Sequence, residues 1–88
     1  MTGAILIVED ESAITELIDL TLKRNGHQTI CAASAEEAIR LIEHALPNLA
    51  LIDWMLPGTS GIELIKRLRA NKRTQLIPVI MLTAKADE

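Results

Sequence analysis

Three acids stand in a row at Glu9, Asp10 and Glu11, directly after the apolar run Ala4 to Val8. A fourth carboxylate, Asp53, closes a second apolar run that begins at Leu49, and the hydroxyl of Thr83 closes a third that begins at Ile77. Runs this short and this aliphatic read as strands buried on both faces, as in the middle of a parallel sheet. Loops at the carboxyl ends of such strands form the binding crevice of an open α/β sheet. A lone Asp after a strand is as readily a loop cap as a functional group; three functional groups at three such ends point to a site. With neighbouring strands about 4.8 Å apart, Asp10 and Asp53 reach one shared position, with Thr83 beyond Asp53. Crowded carboxylates repel, and a hard divalent cation is the natural remedy. Mg2+ suits a site of one or two carboxylates completed by water and phosphate oxygens.

The elements that position these groups follow from periodicity. From Ser12 the chain takes up a helical period, with Ile14, Leu17, Ile18, Thr21 and Leu22 on one face and an Asp19–Lys23 pair outside. Lys23 and Arg24 suit the negative end of that helix, and Asn25-Gly26 ends it. Gln28 to Ala33 is a less apolar strand, suited to a sheet edge. Ser34-Ala35-Glu36-Glu37 opens a second helix, with Ala38, Ile39 and Ile42 inward and Pro47 closing it. After the Asp53 strand comes Trp54-Met55-Leu56-Pro57-Gly58, then a second capping box at Ser60-Gly61-Ile62-Glu63. Ile62, Ile65 and Leu68 are the inward positions of that third helix, which ends near Asn71. The fourth strand is Ile77 to Leu82, with Pro78 near its start. The order β-α-β-α-β-α-β predicts an α/β fold: a parallel sheet with right-handed crossovers.

Composition bounds the function. The chain has 88 residues, 49% hydrophobic and 24% charged, enough for one domain with an aliphatic core. A net charge of −3 argues against nucleic-acid binding through this segment. The single cysteine, Cys31, excludes an internal disulfide and fits a reducing compartment. No apolar run approaches the roughly 20 residues of a membrane span and no signal pattern opens the chain, so no membrane contact and a cytoplasmic location are expected.

The combination of Val8-Glu9-Asp10-Glu11 with Asp53-Trp54-Met55-Leu56-Pro57-Gly58 resembles the receiver domain of two-component response regulators, and the OmpR/PhoB subgroup in particular. The resemblance implies a flavodoxin-like fold with strand order 2-1-3-4-5, one of the common orders of doubly wound sheets. It implies that Asp53 accepts a phosphoryl group from a phosphohistidine of a sensor histidine kinase. It implies that Asp10, Asp53 and the backbone carbonyl of Met55 hold Mg2+, with Glu9 acting through water, and that Thr83 contacts the phosphoryl group and moves as the switch. The chemistry suits such a role, because phosphoryl transfer needs an in-line nucleophile and charge neutralisation more than covalent help from the protein.

The family pattern continues with a further helix, a fifth strand ending in a Lys-Pro motif, and a last helix; residues 1–88 are therefore expected to be the N-terminal part of a receiver, with order 2-1-3-4, the fifth strand absent and helices on both faces. Lys85 follows the fourth strand and does not replace the motif lysine. The fourth strand becomes an apolar edge, which leads to the expectation of a longer protein, a homodimer or a domain-swapped oligomer. Two rival functions compete with this reading. A haloacid dehalogenase-type phosphatase also uses a strand-end Asp nucleophile, but wants a second Asp where this chain has Met55. A phosphorylation-incompetent interaction module follows if the fifth-strand lysine is indispensable. Among lesser candidates, Trp54 suits packing or a loop, His27 and His44 the surface, and Cys31 a strand. Lys66, Arg67, Arg69, Lys72 and Arg73 read as a solvated helix face, and Gly58 and Gly61 as turn residues.

Overall fold

A computed structural model describes residues 3–82 of the chain. The central strand β1 (Ala4–Val8) is buried along its whole length, as an unbroken aliphatic run requires when it has a strand on each side. It is followed by α1 (Ser12–Arg24), β2 (Gln28–Ala32), α2 (Ala35–His44), β3 (Leu49–Asp53), α3 (Gly61–Ala70) and β4 (Val79–Leu82). All strand pairs are parallel and the sheet order is β2-β1-β3-β4. The more polar β2 lies at one edge and β4 at the other.

Local chemistry fixes the helix ends. Ser34 Oγ accepts from the Glu37 N–H at 3.1 Å while the Glu37 carboxylate accepts from the Ala33 N–H at 2.8 Å, a reciprocal cap on α2. Ser60 Oγ caps α3 by accepting from the Glu63 N–H at 3.1 Å. At the end of α1, Gly26 takes a φ of 86°, a left-handed turn that a side chain would disfavour, and the N–H groups of Asn25, Gly26 and His27 satisfy the carbonyls of Leu22 and Lys23.

Register divides the sheet into two faces. Leu6 and Val8 of β1, Ala50 and Ile52 of β3 and Ala32 of β2 form one core with Ala35, Ala38 and Ile42 of α2 and Leu64 and Leu68 of α3. Ile5 and Ile7 point to the other face, which α1 covers over β1 and β2 only. There the register runs from Ile7 to Leu51 to Ile80, and burial fades along it until Ile80 is 51% exposed.

Three expectations are corrected. Leu17 does not belong to the inward face of α1: it is 67% exposed, and Ile14, Ile18 and Leu22 are only half-buried, because α1 meets just half of its face of the sheet. On α3 the buried line is Gly61, Leu64 and Leu68, and Ile62 faces solvent; the packing of Gly61 against β3 sets the rotation of the helix. The fourth strand starts at Val79, with Ile77 buried ahead of it and the Pro78 carbonyl accepting from the Ala50 N–H at 2.9 Å. Proline has no donor to offer, but its acceptor joins β3. Among the described residues no helix is long and apolar enough to cross a membrane.

Candidate functional site

The backbone ladder carries each acid to the carboxyl rim of the sheet. The Glu9 N–H donates to the Ala32 carbonyl at 3.0 Å, extending the β1–β2 pairing one residue beyond Val8. The chain then turns at once, because the Glu11 carbonyl already accepts from the N–H groups of Ile14 and Thr15, and the Thr15 hydroxyl donates to the Glu9 carbonyl at 3.3 Å. Glu9 is thereby held inside, 4% exposed, and Asp10 projects outward. Asp53 is the last residue of β3, paired with Leu82 of β4 and 6% exposed.

The loop after Asp53 is built around that residue. The Met55 N–H donates to Asp53 Oδ1 at 3.2 Å, the Trp54 N–H to the Leu82 carbonyl at 3.0 Å, and the Gly61 N–H to the Trp54 carbonyl at 3.2 Å. A Cβ at position 61 would sit 2.2 Å from the Asp53 carbonyl oxygen. Gly61 is therefore not a turn residue: it lets the start of α3 close on the backbone that carries Asp53. Gly58, with a φ of 70°, is the turn residue of the loop.

Carboxylate oxygens of Glu9, Asp10 and Asp53 lie within 4.8 Å of one another. The ion pairs among the described residues, Asp19–Lys23 and Glu63–Arg67, lie elsewhere. Burial pushes the Glu9 carboxyl above its ordinary value, with Asp53 and Asp10 adding to the rise and the hydrogen bond from the Glu11 N–H opposing it. Uncompensated negative charge in a partly buried cluster is costly. The donor set fits a small divalent cation: oxygens about 2.0–2.1 Å from Mg2+ lie up to roughly 4.2 Å apart across it, close to the spacing within this cluster.

The remaining candidates separate clearly. Met55 lies in the loop beside Asp53, its side chain exposed. Thr83 and Lys85 lie outside the described residues. Trp54 is 52% exposed in the loop at the rim, while His27, His44 and Cys31 are at the surface. Arg69 departs from a solvated face: its guanidinium donates to the carbonyls of Gln75 at 2.8 Å and Ile77 at 2.7 Å, fastening the connection into β4. Sequence reasoning missed the Gly61 approach, the buried Leu56 and a bond from the Thr59 hydroxyl to Glu36. A glycine inside the first turn of a helix was the available signal for the first, since glycine is a poor helix former.

The order β2-β1-β3-β4, with acids gathered where the order reverses between β1 and β3, defines a flavodoxin-like α/β domain with its site at the topological switch point. The chain belongs to the response regulator receiver domain family, which matches residues 5–88. It is 44% identical over 88 residues to the phosphate regulon transcriptional regulatory protein PhoB of Escherichia coli, covering 100% of this chain and 38% of that protein. It is 49% identical over 84 residues to the PhoB of Pseudomonas aeruginosa, covering 96% of this chain and 37% of the relative. Among solved structures, the N-terminal domain of a response regulator receiver protein from Methanoculleus marisnigri superposes with a TM-score of 0.90 at 35% identity, covering 97% of this chain and 69% of that one. The chain thus spans well under half the length of these curated relatives.

Proposed function

We propose that Asp53 is the phosphoacceptor of this receiver and that the donor is a phosphohistidine of a sensor histidine kinase. A carboxylate oxygen of Asp53 forms the new P–O bond as the P–N bond of the donor breaks, and the freed imidazole keeps the electron pair and takes up a proton. Glu9, Asp10 and Asp53, with the Met55 backbone carbonyl, would hold Mg2+, which when bound neutralises charge on the phosphoryl oxygens. Burial of Asp53 at a strand end fixes the attacking oxygen, and the Met55 N–H orients the carboxylate. Thr83 contacts the transferred group and reports its presence. The receiver serves a regulator whose output is transcription, the output that the names of its relatives give for those proteins. It signals and does not turn over substrate.

The observation that carries this reading is the gathering of three carboxylates, two of them buried, at the end of β1 and β3. Incubation with acetyl phosphate and Mg2+, followed by intact mass, tests it. One added phosphate that is absent in Asp53→Ala supports phosphoacceptance; an unmodified chain supports an inert interaction module, and steady hydrolysis of a phosphoester supports a phosphatase.

A further inference from the structure

The segment 54–60 joins β3 to α3 and carries Met55 past Asp53. Backbone bonds fix its ends: Trp54 to Leu82 at one, Gly61 to Trp54 at the other. Leu56 is buried beneath it. Among the described residues, one side-chain hydrogen bond joins this segment to a different helix: the Thr59 hydroxyl donates to Glu36 Oε2 at 2.6 Å. Glu36 lies in the first turn of α2, where the helix dipole favours a negative charge. Its neighbours Ala35 and Ala38 are fully buried, so the carboxylate stands on a rigid support. The Thr59 hydroxyl keeps Glu36 ionised to lower pH than usual, and Arg67 of α3 adds a favourable charge. Gly58, left-handed and immediately before Thr59, also lies close to α2: a Cβ there would be 3.9 Å from Glu36 Oε2.

We infer that Glu36 is a positioning residue: by holding Thr59 it anchors the loop that brings the Met55 backbone to the acid cluster, and so sets the affinity of that cluster for a divalent cation. This rests on the proposed metal-binding role of Glu9, Asp10, Asp53 and Met55. The anchor is exposed and small in energy, yet it is charge-assisted, and it adds to the buried Leu56 and the Met55 N–H bond to Asp53 in holding the loop. Neither partner touches the cluster, which separates an effect on loop position from an effect on the ligands.

The test uses the lone tryptophan, Trp54, as the reporter. Mg2+ is titrated by Trp54 fluorescence into the parent chain and into Glu36→Ala, Thr59→Val, Glu36→Gln and the Glu36→Ala/Thr59→Val double variant. Ser34→Ala, which weakens α2 without touching the loop, is the control. Glu36→Ala and Thr59→Val are expected to bind Mg2+ about 3- to 10-fold more weakly, the size of one lost hydrogen bond. The double variant should bind no more weakly than either single one, and Glu36→Gln, which keeps an acceptor oxygen, should stay within about twofold of the parent. Equal affinity in parent, Glu36→Ala and Thr59→Val overturns the inference, as does an equal loss in Ser34→Ala. A parent that gives no Mg2+ response, by fluorescence or by thermal shift, overturns the metal-site reading itself, which keeps the two failures distinct.

Discussion

Two substitutions at the site have opposite expected signs. Gly61→Ala would ordinarily favour a helix, since alanine has the higher propensity by up to about 1 kcal/mol. Here the new Cβ would lie 2.2 Å from the Asp53 carbonyl, and one backbone must give way. Gly61→Ala should therefore lower stability by roughly 1–3 kcal/mol, seen as a lower urea midpoint with an unchanged slope. Glu9→Gln should do the reverse in metal-free buffer. It removes one charge from a buried, repelling cluster, so the melting temperature at pH 7 should rise, while the rise caused by millimolar Mg2+ should shrink. If Mg2+ raises the melting temperature of Glu9→Gln as much as that of the parent, Glu9 has no part in the site.

At the scale of elements, side chains reaching across from one element to the next hold the site in place. The Thr29 hydroxyl of β2 bonds to Asp19 of α1, and Lys23 approaches the same carboxylate at 3.2 Å. The Thr29 bond is the larger cause of the lowered Asp19 value, with Lys23 adding to it. A carboxyl lowered in the folded state gives stability above its unfolded value, near 3.8, that is lost as pH falls through the folded value. Asp19→Asn should therefore lose stability relative to the parent at pH 5 to 7, with the difference closing as pH falls below the ordinary carboxylate range. Thermal melts across that range check the convergence. On α3, Arg69→Met leaves the Gln75 and Ile77 carbonyls without their donor; a loss of about 1–2 kcal/mol in urea is expected.

Over the whole molecule the two sheet faces are unequal. One is sealed by α2 and α3 around Leu6, Val8, Ile52 and Leu64; on the other, α1 stops short of β3 and β4. Ile80, Leu17 and Leu20 are left in contact with water, and β4 presents an edge beyond which no described strand lies. Apolar exposure beside a strand edge favours association. Light scattering on the 88-residue chain should show a mass that rises with concentration, and Ile80→Lys should suppress the rise. A monomer at every concentration would set this expectation aside.

Much of this was legible in the residues themselves. Unbroken aliphatic runs of this length suit strands covered on both faces, and acids that end such runs stand at the carboxyl rim, so the sequence alone places Glu9, Asp10 and Asp53. The caps at Ser34 and Ser60 were equally plain, because a serine followed three residues later by glutamate satisfies local donors without help from elsewhere. What periodicity missed depends on contacts between distant parts of the chain. A helical period gives a stripe, but the area of sheet beneath it decides how much of the stripe is covered, which is why Leu17 lies in solvent. The rotation of α3 was set by a missing Cβ meeting the backbone of β3, and the Thr59–Glu36 bond spans 23 residues. Local sequence chose the elements and the charges; only their mutual packing fixed how closely those charges meet and what holds them there.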